Sequence, residues 1–167
     1  MAGVCVGGFI GFRFDGGYSS DIASALNASL HEQQPDAIVF QGYGVSSNPT
    51  RWIGTEAGTA PYPNWSPNDA NAPGGGDPQG ANFVPGEVDT TLQLNDDWFY
   101  VKGHGIRTLA ELQTVYHNSV GRNANLLLDI APTPEGVVDD AAFARYKEFG
   151  DWIRACYGHD NVIAETN

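Results

Sequence analysis

FIGFRFDGGYSSDIASALNASLHEQQPDAIVF, residues 9–40, decides the fold. Phe9 to Phe14 is a short apolar and aromatic run that stops at Asp15-Gly16-Gly17, the pattern of a buried strand ending in a sharp turn. Ser19, Ser20 and Asp21 then offer helix N-caps, and Ile22, Leu26 and Leu30 recur at helical spacing. Pro35 disfavours helical geometry in the residue before it, so the helix should stop near Gln34. Ala37 to Phe40 (AIVF) reads as a second buried strand. The unit is β-α-β, for which right-handed parallel pairing is the default.

Outward from this unit the pattern repeats with an interruption. Upstream, Met1–Gly11 (MAGVCVGGFIG) is small and apolar. It lacks the basic start and cleavage site of a signal peptide and reads as a buried strand. Downstream, Arg51 to Gly54 (RWIG) extends the second strand. From Thr55 to about Val84 periodicity vanishes, and a loop of that length in a compact domain usually has a function. We take residues 55–90 as a candidate active-site loop. Thr108 and Glu111 form a capping box. Leu109, Leu112, Val115 and Tyr116 follow on one face, and Gly121 should close that helix. Asn125 to Ile130 (NLLLDI) is a third buried strand. Asp139 and Asp140 open a last helix with Phe143, Tyr146, Phe149, Trp152 and Ile153 facing inward and Gly158 at its end. The fold class expected is α/β, either doubly wound or part of a (β/α)8 TIM-like barrel, with residues 1–167 as one domain.

Composition narrows the function. Eight Lys plus Arg stand against twenty Asp plus Glu, a net charge of −12. Phosphate backbones and anionic membrane surfaces repel such a chain, so neither nucleic acid nor a membrane is expected as partner. No apolar run reaches membrane-spanning length. Cys5 and Cys156 lack zinc-site spacing, and the four histidines fit neither a metal cluster nor a Ser-His-Asp arrangement. No metal or other cofactor is expected.

The carboxylates and aromatics remain. Asp15 closes an apolar strand, the position where barrel enzymes keep catalytic groups, although Asp-Gly is also an ordinary turn signal. Glu56 stands at the start of the long loop, where apolar rings suit a general acid; a solvated carboxylate is the plainer reading. Glu87 and Asp89 share one strand face by alternation, and solvent exposure is again the plainer reading. Trp52, Tyr62, Trp65, Trp98, Phe99 and Tyr100 suit stacking on sugar rings. Trp98 is the best candidate for that role, and Trp52 and Phe99 lean toward the core. Asn27 and Asn64 head glycosylation acceptor triplets.

Four stretches give a resemblance. FDGGYSS resembles the nucleophile motif of α-L-fucosidases of glycoside hydrolase family 29. QPDAIVFQGYGVSSNPTRWIGTEAG, FVPGEVDTTLQLNDDWFY and LAELQTVYHNSVGRNANLLLDIAPTPEG resemble three further blocks of its α-1,3/4-type subgroup. The resemblance implies the C-terminal part of a TIM-barrel catalytic domain, roughly strands four to eight. It also implies retaining hydrolysis of terminal α-L-fucose from oligosaccharides or glycoconjugates. By motif position Asp15 is the nucleophile and Glu56 the acid/base, with Glu87 the alternative for the second role. Arg51 would contact the sugar ring or the acid/base, Trp98, Glu87 and Trp65 would bind the sugar, and family members act without a metal. The first half of the family's barrel has no counterpart here, so a catalytically incomplete, carbohydrate-binding remnant is the alternative. The same gap leads us to expect an open strand edge prone to self-association. Localisation stays open.

Overall fold

The computed structural model describes residues 19–40, 46, 48–68 and 74–158 in full, and the backbone alone of residues 3–6 and 9–13. Strands β1 (Gly3–Val6) and β2 (Phe9–Arg13) pair antiparallel, so the small apolar start is two strands rather than one. Helix α1 (Ser20–Gln33) follows. It ends where the Gln34 amide donates to Leu30 O at 2.7 Å, just before Pro35. Strand β3 (Ile38–Phe40) returns parallel to β2, completing the expected β-α-β unit.

The helix presents a different stripe from the one its leucine spacing suggests. Ala23 and Leu30 are buried against Val39, with Leu26 and Ala37 packed beside them, whereas Ile22 is 53% exposed. One residue is 100° of helix rotation, so the small Ala23 takes the inward position and lets the helix lie close to the strand.

Arg51–Trp52 is a strand of its own, β4. A parallel bridge joins Phe40 to Thr50, and the Thr50 amide donates to Val39 O at 2.7 Å, so β4 continues the sheet beyond β3. Next to β4 lies β7 (Gly86–Thr91), and next to β7 lies β8 (Ala124–Asp129), both parallel. The order is therefore β1-β2-β3-β4-β7-β8, parallel from β2 onward. Strand β7 is the best-connected strand, and its central place is legible only in the structure. Its sequence, GEVDTT, lacks the apolar run that marks the other strands, yet four consecutive residues, Val88 to Thr91, are at most 5% exposed.

The described residues between 53 and 85 form coil with one small antiparallel pair, β5 (Pro67–Asn68) against β6 (Asn82–Phe83). Helix α2 (Leu109–Ser119) carries the capping box: the Glu111 amide donates to Thr108 Oγ1 and the Thr108 amide donates to Glu111 Oε2 at 2.7 Å. Gly121 does not end it. A 3-10 turn over Val120–Arg122 follows, and Asn123, at φ +60°, supplies the left-handed residue that turns the chain into β8. Asparagine tolerates that region better than most side chains.

Helix α3 (Asp140–Tyr157) begins under the Asp139 cap and stops at Gly158. Leu92, Leu112, Ala142 and Phe149 form the main core, with Trp152 and Ile153 packed at its rim. Removing a side chain such as Leu112, which is fully buried, costs about 2–5 kcal/mol. Phe143 and Tyr146, expected inside, are 62% and 45% exposed. Helix α3 packs on α2 and the core along a stripe through Ala142, Phe149 and Ile153; Phe143 is turned about 100° from Ala142, and Tyr146 lies at the edge of the stripe.

Candidate active site

The candidate site is built at one end of the sheet. Strands β4, β7 and β8 are parallel, so the segments after Trp52, Thr91 and Asp129 leave at the same end. Alternation sorts their side chains. Val88 packs with Ala60 and Ala124, and Thr90 adjoins Val115 of α2 around Gly58. These mark the helix-covered face. Glu87, Asp89 and Thr91 therefore take the opposite face, beside Trp52 of β4 and Asn125, Leu127 and Asp129 of β8.

Glu56 is carried by a bulge. The Ile53 amide donates to Glu87 O and the Gly58 amide to Asp89 O, each at 3.0 Å. A regular parallel ladder would serve acceptors two residues apart with donors two residues apart. Here the donors are five apart, so three extra residues are thrown outward, and Glu56 is exposed within them. Gly58 anchors the far side. Its φ is +65°, and a Cβ there would stand 2.8 Å from Val115 Cγ1.

Asp89 does not face solvent. It is 5% exposed, and its Oδ1 accepts from Trp52 Nε1 at 2.8 Å. That bond holds a half-buried indole across the face that carries Glu87. Arg51 is 2% exposed. Its Nε donates to Val84 O at 3.2 Å, its Nη2 to Asn64 Oδ1 and Trp65 O at 2.8 Å each, and its Nη1 to Gly74 O. The guanidinium thus clamps the long loop through Val84, Gly74, Trp65 and Asn64. Asn64, 7% exposed, also donates to Arg122 O and Asn123 O, so its side chain is bound in the fold and closed to glycosylation in the folded state. Trp65, by contrast, is 44% exposed, with its backbone held by Arg51 and by Gly75 O.

The loop after β7 is equally well held. Thr91 Oγ1 donates to Asp97 O at 2.7 Å. The buried Gln93 amide donates to Asp97 O and Phe99 O, and Gln93 Oε1 accepts from the Val101 amide. Trp98 lies between those two gripped carbonyls and is half-buried. Its neighbour Phe99 is 85% exposed, so it stands outside the core. His104 Nδ1 contacts Asp97 Oδ2, a pair that ties the loop to its own return. A cavity of about 320 Å³ lies between this loop and the start of α3, lined by Leu92, Gln93, Tyr100, His104, Ile130 and Asp139. Neither Glu56 nor Trp98 lines it.

Asp129 is a group the sequence reading passed over as part of an apolar strand. It closes β8 and stands opposite Thr91. Burial without charge compensation raises its pKa above the ordinary carboxylate value. The signal was present: a carboxylate at the C-terminal end of a parallel strand is the same feature that singled out Asp15. Asp15 lies outside the described residues; β2, the strand before it, ends at Arg13. The structure thus gathers Glu56, Glu87, Trp98 and Asp129 at one end or one face of the sheet. It assigns Arg51 to the support of the loop.

Known proteins share this fold and sequence pattern. The sequence signature of the family described as Alpha-L-fucosidase matches residues 48–158. The chain is 30% identical over 141 residues to Alpha-L-fucosidase 1 of Arabidopsis thaliana, covering 78% of this chain and 27% of that one. The structure superposes on a Ruminococcus gnavus GH29 fucosidase solved in complex with fucose, with a TM-score of 0.69 and 28% identity over 87% of this chain and 33% of that one. It superposes on the crystal structure of SpGH29 with a TM-score of 0.70 and 27% identity, over 86% and 34% of the two chains. The chain thus spans about a quarter to a third of the length of the relatives it matches. Two thirds of its residues fall within the family signature, and the chain belongs to the α-L-fucosidase family.

Proposed function

We propose that this chain carries the second half of a (β/α)8 barrel, roughly strands four to eight, and hydrolyses terminal α-L-fucose with retention of configuration. The observation that carries the reading is the bulge that displays Glu56 at the C-terminal end of β4. The segment containing Asp15 leaves a strand parallel to it, two places away in the sheet. Strands stand about 4.8 Å apart, so β2 and β4 are roughly 10 Å apart. A retaining pair requires carboxyls about 5–5.5 Å apart.

In this mechanism the Asp15 carboxylate attacks the anomeric carbon of fucose. Glu56 gives its proton to the departing glycosidic oxygen, leaving a covalent fucosyl-enzyme. Glu56, now a carboxylate, takes a proton from water, whose oxygen attacks the same carbon and frees Asp15. Trp98 and Trp65 wall the sugar. Glu87 is the alternative acid/base if Glu56 proves dispensable. The α-1,3/4 linkage class and the position of the chain in the C-terminal part of the catalytic domain belong to the same proposal.

The alternative reading of the same carboxylates and aromatics is sugar binding without turnover. The outer edge of β8 has no strand partner among the described residues, while β1 covers the β2 edge. A second copy docking along β8 is one way to complete the site. Release of fucose from an aryl α-L-fucoside and from a branched Lewis-type oligosaccharide tests the proposal. Turnover that disappears in Asp15→Ala and falls in Glu56→Gln supports hydrolysis. Soluble, folded protein that binds L-fucose but releases none leaves the second reading.

A further inference from the structure

We propose that Asp129 is a substrate-binding residue, its carboxylate accepting a hydrogen bond from a hydroxyl of the fucose ring. The proposal rests on the fucosidase reading above and adds a contact from β8, the strand farthest from Asp15. Three carboxylates share the open face of β7 and β8. Asp89 already serves Trp52 Nε1. Glu87 lies deeper along β7, level with Asn125. Asp129 is at the mouth, level with Thr91, about 8 Å diagonally from Asp89 by strand geometry.

Its environment is that of a group waiting for a donor. Oδ2 is shielded from solvent and has no hydrogen-bond partner among the described residues. The residue as a whole is half-exposed, so a ligand at this end of the sheet can reach it. A shielded oxygen without a donor is costly, and a carboxylate left that way has a use to explain it. Thr91 Oγ1 holds Asp97 O, which places Trp98 next in the chain over this end of the sheet. Asp129 and Trp98 follow from the same end of the sheet, and a pyranose bound there offers its C–H face to an aromatic ring and its hydroxyls to a carboxylate.

The other titratable groups on the elements around it include Glu87, Asp89, Asp96 and Asp97, His104, Arg107 and Asp139. Arg107 is directed to Thr91 O, Thr90 Oγ1 and Asp96. His104 is engaged by Asp97. The cause of the raised Asp129 pKa is desolvation. A hydroxyl donating to the carboxylate favours the ionised form, so sugar binding lowers that pKa. By linkage, sugar binding tightens as pH rises through the value in the free protein.

The test is calorimetric binding of L-fucose to the parent chain, Asp129→Asn and Asp129→Leu between pH 4 and pH 8. It is paired with carboxyl carbon NMR of Asp129 with and without the sugar. The proposal expects Asp129→Leu to bind roughly tenfold more weakly, the loss of one hydrogen bond to a charged group. Asp129→Asn, which keeps an acceptor of the same shape, should bind closer to the parent and lose the pH dependence. The NMR titration should move to lower pH with sugar present. Equal binding by all three proteins, with an unmoved titration, overturns the role of Asp129 and leaves the fucosidase reading intact. No binding of L-fucose by the folded parent overturns that reading and this contact with it.

Discussion

Replacing Arg51 with methionine separates a loop clamp from a sugar contact. Methionine keeps much of the buried volume and removes every donor. Among the described residues, four acceptors then lose a partner: Val84 O, Gly74 O, Trp65 O and Asn64 Oδ1. A buried acceptor without a donor costs about 1–3 kcal/mol, and truncating one side of a buried charged network costs about 3–5 kcal/mol in practice because the surroundings relax. We take about 4 kcal/mol as the expected loss, a large part of the 5–15 kcal/mol that holds an ordinary domain together. With a urea slope of about 2 kcal/mol per molar, the unfolding midpoint should fall by about 2 M. Tryptophan fluorescence reports it, because Trp52 and Trp65 flank the clamp. Amide exchange of Trp65, whose N–H donates to Gly75 O, should accelerate as the loop loosens. A variant that unfolds within 0.5 M of the parent yet loses affinity for L-fucose would refute this reasoning and return Arg51 to the sugar.

Three further perturbations test other parts of the framework. Trp52→Phe removes the indole N–H that serves Asp89 Oδ1, and the stranded buried carboxylate should cost about 1–3 kcal/mol in chemical denaturation. Gly76→Ala should lower the melting temperature more than most surface changes: φ there is +75° and a Cβ would stand 2.2 Å from Trp65 O, so backbone strain of about 1–3 kcal/mol adds to a clash. Thr108→Ala should cost about 1 kcal/mol through the lost N-cap of α2. Hydrogen bonds from the Thr108 amide and hydroxyl hold the Glu111 pKa below its usual value. The stabilisation that Glu111 contributes is therefore present at neutral pH and fades as pH falls through its lowered folded value. The Thr108→Ala protein should show less of that fading in an acid titration.

Much of this protein is written locally. The β-α-β unit from Phe9 to Phe40, the Thr108–Glu111 box, the Asp139 cap and the stop at Gly158 depend on neighbours within a turn or two, and each formed within a residue or so of where its sequence places it. The carboxylate on a loop at the end of a strand, Glu56, was legible for the same reason. What the sequence left open depends on contacts made across long separations. GEVDTT has weak strand character by itself and becomes the centre of the sheet because β4 and β8 flank it. Phe143 and Phe99 look like core and are exposed, because burial depends on which face of an element meets a neighbour. Arg51 grips carbonyls 14 to 33 residues away, a role that no local pattern announces. Asp129 looks like one more residue of a strand and ends as a shielded carboxylate beside the loop after β7. Periodicity and caps are properties of adjacent residues and can be read in order along the chain; partnership of buried polar groups is a property of the closed fold, and only the tertiary structure decides it.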